Sequence, residues 1–284
     1  MPENIRFPAV AGTFYPGEAE HLRKTLAGFF LAAAPDAKPK QALAVMCPHA
    51  GYIYSGALAA ATFAQVEIPK RVILVGPTHH GLAAPVAVSL STWRTPLADT
   101  LVDAGFLESL MAKSPLIIHD EAGHRREHCL EVQLPFLHYL RGDVAIVPLL
   151  VSAIPFQLCR EIATALAAAI REAAGETLIV ASTDMSHYLS RRQAARLDTL
   201  ALERVLALDP PGLHQTCVAN RISMCGFVAV TIVMLTMLEL GPATATLVGY
   251  TDSGAASGDI ERVVGYAGVV FREGKIPVSA SSAA

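Results

Sequence analysis

The sequence predicts an α/β fold in three layers, a mixed central sheet with helices on both faces. Segments of strand length rich in Val, Ile and Leu alternate with longer segments whose apolar residues recur at helical spacing, which is the pattern of a sheet covered on both sides. Three of the strand-length runs, ALAVMC at 42–47, RVILV at 71–75 and TLIVA at 177–181, lead straight into histidines: His49, then His79 and His80, then His187. In an open α/β sheet the carboxyl ends of neighbouring strands form the crevice where ligands bind, so three such endings predict one shared pocket.

The elements follow in order. Residues 18–30 place apolar side chains on one helical face, and Lys38 to Lys40 turn the chain into the strand at 42–47. Ser55 is the expected cap of a helix reaching Phe63. The run from Arg71 breaks at Gly76-Pro77, residues 86–90 read as another strand, and Trp93 to Pro96 as a loop. Helices are expected at 99–111 and, despite Pro135, at 130–140. VAIVPLLV at 144–151 reads as a buried strand in which Pro148 removes one ladder donor. An alanine-rich helix at 156–173 precedes the strand at 177–181, and a helix at 194–206 is expected to stop at Pro210-Pro211-Gly212. Residues 224–240 are apolar throughout, but at seventeen residues with two threonines and Glu239 they read as a core helix rather than a membrane span. Two β segments, 244–250 and 262–271, close the fold around a Gly/Ser loop at 251–258.

Composition narrows the function. A 52% hydrophobic content over 284 residues is ample for a large core, and no repeat or linker divides the chain, so one domain over 1–284 is expected, with a frayed tail at 279–284. A net charge of -3 provides no basic stripe, which argues against nucleic acid or anionic membranes as partners and favours a small-molecule or peptide substrate. Five cysteines without a C-x-x-C pair, and an amino terminus without a charged-then-apolar leader pattern, point to a reducing, cytoplasmic setting.

Imidazole is the commonest transition-metal side-chain ligand, and histidines held at adjacent strand ends supply most of a metal site. Consecutive residues leaving a strand point in different directions, so one of His79 and His80 reaches the metal and the other supports it. For the third ligand the residues leave Cys225, Glu131 or Asp184 open. Cys225 has the best setting, in the first turn of a helix capped by Ser223, where the helix dipole favours thiolate. Its rival reading is a small buried hydrophobe. Asp184 lies three residues before His187 and is placed to orient it for proton transfer. His128 and Glu131, three apart on a predicted helix face, read as a second metal pair or an ordinary ion pair, and are taken to support the site rather than to bind its ion.

The segments PHAGYIYSG (48–56), GPTHHG (76–81), EHCLEVQLPFL (127–137), STDMSHY (182–188) and MCG (224–226) stand in the order and spacing of the Memo family, whose bacterial members are called AmmeMemoRadiSam system protein B. The chain resembles that family from AGTFYPG (11–17) to its last strand. The resemblance implies a fold similar to the class III extradiol dioxygenases, with metal ligands matching His49, His79 and Cys225. It also implies that His187 matches the dioxygenases' catalytic base, with Asp184 beside it. The implied cofactor is one redox-active ion, Fe(II) or Cu(I), while zinc also accepts two nitrogens and a sulfur. The family's names imply a pathway link to a radical-SAM enzyme and an AMMECR-type protein. Together these readings make the protein a metal-dependent, dioxygenase-like oxidoreductase. Tyr52 or Tyr54 and Ser253, in the loop at 251–258, would line its pocket mouth. The competing readings are a catalytically inactive metal- or peptide-binding module on the same fold, or a zinc hydrolase.

Overall fold

The computed structural model describes residues 4–33 and 38–274; the tail expected at 279–284 lies outside them. At the centre, four parallel strands run side by side in the order Ala145–Val151, Arg71–Pro77, Thr177–Ser182 and Ala44–Cys47. Their side chains alternate between two cores, as a pleat requires. Ala44, Met46, Ile73, Val75, Val147, Leu149, Ile179 and Ala181 face one core, which takes in the helices Phe156–Glu172 and Phe227–Leu240. Val45, Cys47, Val72, Leu74, Ile146, Leu150, Leu178 and Val180 face the other, built with the helices Ala19–Ala33, Tyr52–Phe63 and Leu134–Leu140. The protein is therefore an α/β sandwich with a mixed sheet, twelve strands among the described residues. The antiparallel members include Val263–Glu273, which pairs with both Ala44–Cys47 and Ala243–Asp252.

Several local expectations are corrected, each by pairing that no single segment reveals. Residues 92–94 form a strand, not a loop, and 99–102 are a strand, not the start of a helix. Thr92–Arg94 and Asp99–Val102 make an antiparallel hairpin whose second strand joins Ala145–Val151, and Arg94 grips Asp99 across it through two bonds of 2.7 Å. The helix begins instead at Ala104, where Asp103 caps the Phe106 N–H at 3.0 Å. The expected helix at 130–140 is a 3₁₀ turn, Glu131–Gln133, leading into Leu134–Leu140, so Pro135 falls in a first turn where its missing N–H costs nothing. For the same reason Pro210 and Pro211, after the helix Arg191–Leu206 has ended where expected, open another, Pro210–Ala219, capped by Asp209.

Pro148 is accommodated by register. Ala145 N donates to Lys70 O on one side of its strand and Asp103 N donates to Ile146 O on the other. Pro148 shares the side of Ile146, where pairing with Asp99–Val102 has ended at Ile146 and pairing with Val86–Val88 begins at Leu149. Its absent donor therefore falls in a gap between two partners.

The helix Tyr52–Phe63 starts three residues before Ser55, whose hydroxyl donates to Ala50 O instead of capping. The apolar helix spans Phe227–Leu240 and is buried nearly all round, as its composition requires. Among the described residues no helix is long and apolar enough to cross a membrane.

Candidate metal centre

Parallel pairing brings the carboxyl ends of Ala44–Cys47, Arg71–Pro77 and Thr177–Ser182 to one edge, with Cys47 opposite Ser182 and Val75 opposite Ala181. His49, His79 and Asp184 each follow two residues later. A further histidine arrives by a different route. His128 sits in the connection between the helix Glu121–Arg125 and the 3₁₀ turn Glu131–Gln133, and its ring lies 4.6 Å from that of His79 and 5.4 Å from that of His49. One ring nitrogen from each of His49, His79 and His128 lies within 4.8 Å of the other two.

The hydrogen bonds fix which nitrogen each ring offers. Glu127 accepts from His79 Nδ1 at 2.9 Å and lies 3.1 Å from His128 Nδ1. It also accepts the backbone N–H groups of His79, His128 and Cys129. The Ser182 hydroxyl gives its proton to Cys129 O at 2.7 Å, so it can only accept from His49 Nδ1, 2.9 Å away. All three Nδ1 atoms are thus engaged, so Nε2 is the nitrogen each ring has left to offer a metal.

Cys225 Sγ lies 3.3 Å from His49 Nε2 and accepts the Asp184 N–H at 3.2 Å. Two ligands of one tetrahedral ion, at bond lengths of about 2.0 and 2.3 Å, would sit roughly 3.6 Å apart, so the pair fits a shared ion. The thiol reaches this position from a tight turn rather than from a helix. Gly226 is the residue before Phe227–Leu240, and a Cβ there would come within 2.6 Å of Ser182 O. Glycine is what lets the Cys225 turn pack against the end of the strand.

Electrostatics follow from burial. Burial and the neighbouring Asp184 carboxylate push the Cys225 thiol up to about 12. A bound cation reverses that bias, because a coordinating thiol is deprotonated. Burial, and then the His128 and His79 charges, hold the His49 imidazole well below its ordinary value, keeping it neutral. Burial opposes ionisation of Glu127, but hydrogen bonds from His128 and His79 outweigh it and leave the carboxylate firmly ionised.

His49, His79, His128 and Asp184 form one wall of a cavity of about 590 Å³ whose lining also includes Phe14, Tyr54, His187, Tyr188, Ser253, Arg262 and Tyr266. His187 stands in it with its own support: its N–H donates to Ser223 Oγ at 2.8 Å, and its Nδ1 lies 2.9 Å from Ser223 O. A carbonyl oxygen only accepts, so Nδ1 carries the proton and Nε2 is basic. Next to it Tyr188 adopts a left-handed φ of 58°, a strained conformation of a kind concentrated at functional sites.

Of the residues singled out in the sequence, His49, His79, His128, Asp184, His187, Tyr54 and Ser253 line this cavity, and Cys225 touches His49. Four are placed differently from the expectation. Asp184 bonds the His49 N–H at 2.8 Å, while the bonds that hold His187 come from Ser223. His80 is exposed, its Nε2 3.2 Å from Arg126 O. Glu131 is fully buried away from the imidazoles and paired with Arg6 at 2.7 Å. Tyr52 is buried too, donating to Val132 O. Glu127 is the supporting residue that no spacing in the sequence marks. Its signal is adjacency: a carboxylate immediately before a histidine cannot share that residue's helical face, but in an irregular segment it can turn back on the ring.

Comparison with known proteins bears on the whole length. The Memo-like protein family matches residues 6–270. A MEMO1 family protein of Archaeoglobus fulgidus is 38% identical over 270 residues, covering 94% of this chain and 100% of that one. One from Aquifex aeolicus is 38% identical over 272 residues, covering 94% and 99%. The crystal structure of the uncharacterized protein JW3007 from Escherichia coli K12 aligns at a TM-score of 0.45 with 15% identity, over 73% of this chain and 87% of that one. With the matched span running from Arg6 past every strand that delivers a histidine and past the turn that carries Cys225, this chain belongs to the Memo family.

Proposed function

We propose that the protein is a metal-dependent oxidoreductase acting on a small molecule or peptide end that enters the cavity, with His49, His79 and Cys225 as ligands of one iron or copper ion. The observation that carries this reading is the convergence of three imidazoles on one wall of an open cavity, with the Cys225 sulfur 3.3 Å from His49 Nε2 and a further imidazole, His187, also facing the cavity. The donor set fits such an ion: nitrogen and sulfur suit iron, copper and zinc, and bound there the ion would supply redox or Lewis-acid chemistry. His128 faces the same point and stands ready as a further nitrogen ligand.

The chain's own residues then have separable roles. His187 Nε2 accepts a proton from a hydroxyl or thiol placed in the cavity, and Ser223 keeps it in the basic tautomer. Asp184 fixes the backbone that presents His49 and donates its own N–H to the Cys225 sulfur. Tyr266 and Tyr54 line the space where a substrate lies.

The test is metal analysis of protein purified without oxygen, followed by oxygen uptake with a panel of catechols and thiols. Iron or copper at one per chain, with uptake lost in His187→Ala while the metal is retained, supports the reading. Bound metal with no uptake in either protein would make it a binding module, and turnover with zinc alone would make it a hydrolase.

A further inference from the structure

The segment between Asn4 and Tyr15 crosses the molecule to reach both halves of the metal site. The strand Ile5–Arg6 pairs with Thr92–Arg94, setting the Arg6 guanidinium 4.0 Å over the Trp93 ring. From there Arg6 donates to three acceptors in and on either side of one connection: His124 O at 2.9 Å, Glu127 O, and the Glu131 carboxylate at 2.7 Å. Glu131 in turn accepts the Ala9 and Val10 N–H groups and the Tyr15 hydroxyl. A few residues on, the Phe14 ring packs 4.8 Å from the His128 ring, and Phe14 O accepts the Tyr52 N–H at 2.7 Å, three residues past His49.

We propose that this segment is a strap, with Arg6 as its positioning residue, that sets the distance between the His49 arm and the Glu127–His128 arm of the site. The connection from 126 to 130 has no ladder of its own to hold it. Without Arg6 the Glu127 carbonyl and the buried Glu131 carboxylate each lose a donor, and buried acceptors left short of partners are costly. A guanidinium can meet two carbonyls and a carboxylate together because its donors form a rigid fork. A lysine ammonium can keep the pairing with Glu131 but not the fork. The proposal rests on the metal-binding reading above, and its test separates the two.

Metal-free full-length protein is titrated with Co(II), whose visible spectrum reports coordination, for the unaltered chain, Arg6→Lys and His128→Ala. Amide exchange at Ala9 and Val10 is measured in the unaltered chain with and without Co(II). Loss of a partner that orients metal ligands typically weakens metal binding by about 10- to 100-fold. A weakening of that size is expected for folded Arg6→Lys, with a spectrum moved toward that of His128→Ala, and Co(II) should slow exchange at Ala9 and Val10, because coupling between two sites is reciprocal. A folded Arg6→Lys with unaltered affinity and spectrum overturns the strap. If Arg6→Lys does not fold, the exchange measurement decides alone, and unchanged exchange with Co(II) bound overturns it. No Co(II) binding by the unaltered chain removes the metal reading itself and the strap with it.

Discussion

Glu127 shows how much of the site hangs on one side chain. It accepts hydrogen bonds at its carboxylate from two imidazole Nδ1 atoms and three backbone N–H groups, so it sets both the tautomer and the direction of His79 and His128. Glu127→Ala should weaken metal binding by about 10- to 100-fold, as read by equilibrium dialysis with metal analysis, whereas a purely structural carboxylate would leave affinity unchanged in the folded fraction. Gly226 is a second sensitive point. Gly226→Ala sets a methyl against Ser182 O and the Thr183 side chain, and a backbone oxygen at a strand end cannot move aside cheaply. A loss of about 1–3 kcal/mol in urea unfolding is expected, the usual cost of overpacking. The residue types at the strand ends were legible from the chain: His49, His79 and Asp184 lie just past the ends of their strands, while His187 opens a separate short strand, His187–Leu189, paired with Val263–Glu273. Which side chain supports which was not, because Ser223 reaches His187 from another element, 36 positions along the chain.

Among the elements, short irregular connections do as much positioning as the strands. Glu121 opens the helix Glu121–Arg125 and ties it to the turn before Thr92–Arg94, accepting from Ser89 Oγ and from the Leu90 and Ser91 N–H groups. Burial works against its charge, but bonds from His119, Ser89 and these backbone groups prevail and hold the carboxyl below its ordinary value of 4.5. A carboxyl lowered in the folded state stabilises the fold fully above its unfolded value, and that contribution fades as pH falls through the folded value. Glu121→Gln should therefore cost about 1–3 kcal/mol at neutral pH, and its deficit relative to the parent should shrink in unfolding measurements below roughly pH 4. An equal deficit at pH 3 and pH 7 would contradict this account. At Pro210–Ala219, Asp209→Ala removes the cap on the Gly212 N–H, 2.9 Å away, and about 1 kcal/mol of stability should go with it.

For the whole molecule, the parallel sheet is the frame, and both of its faces must be filled. Leu166, on the helix Phe156–Glu172, is fully buried in the core that also holds Ile73 and Val147. Leu166→Ala should lower unfolding stability by about 2–5 kcal/mol while leaving the metal affinity of the folded protein unchanged, since the imidazoles lie at the sheet's edge and not in that core. The sequence by itself determined the α/β class, the central parallel strands and the histidines at their ends, because hydrophobic period and chain breaks are local properties that every segment carries within itself. It also carried the motifs by which family membership could be read. Tertiary structure alone decided that residues 92–94 and 99–102 pair as strands, that His128 joins His49 and His79, and that Glu131 belongs to Arg6. Those outcomes depend on partners up to 125 positions apart, and the free energy of a buried bond is set by which group meets it, not by its neighbours along the chain.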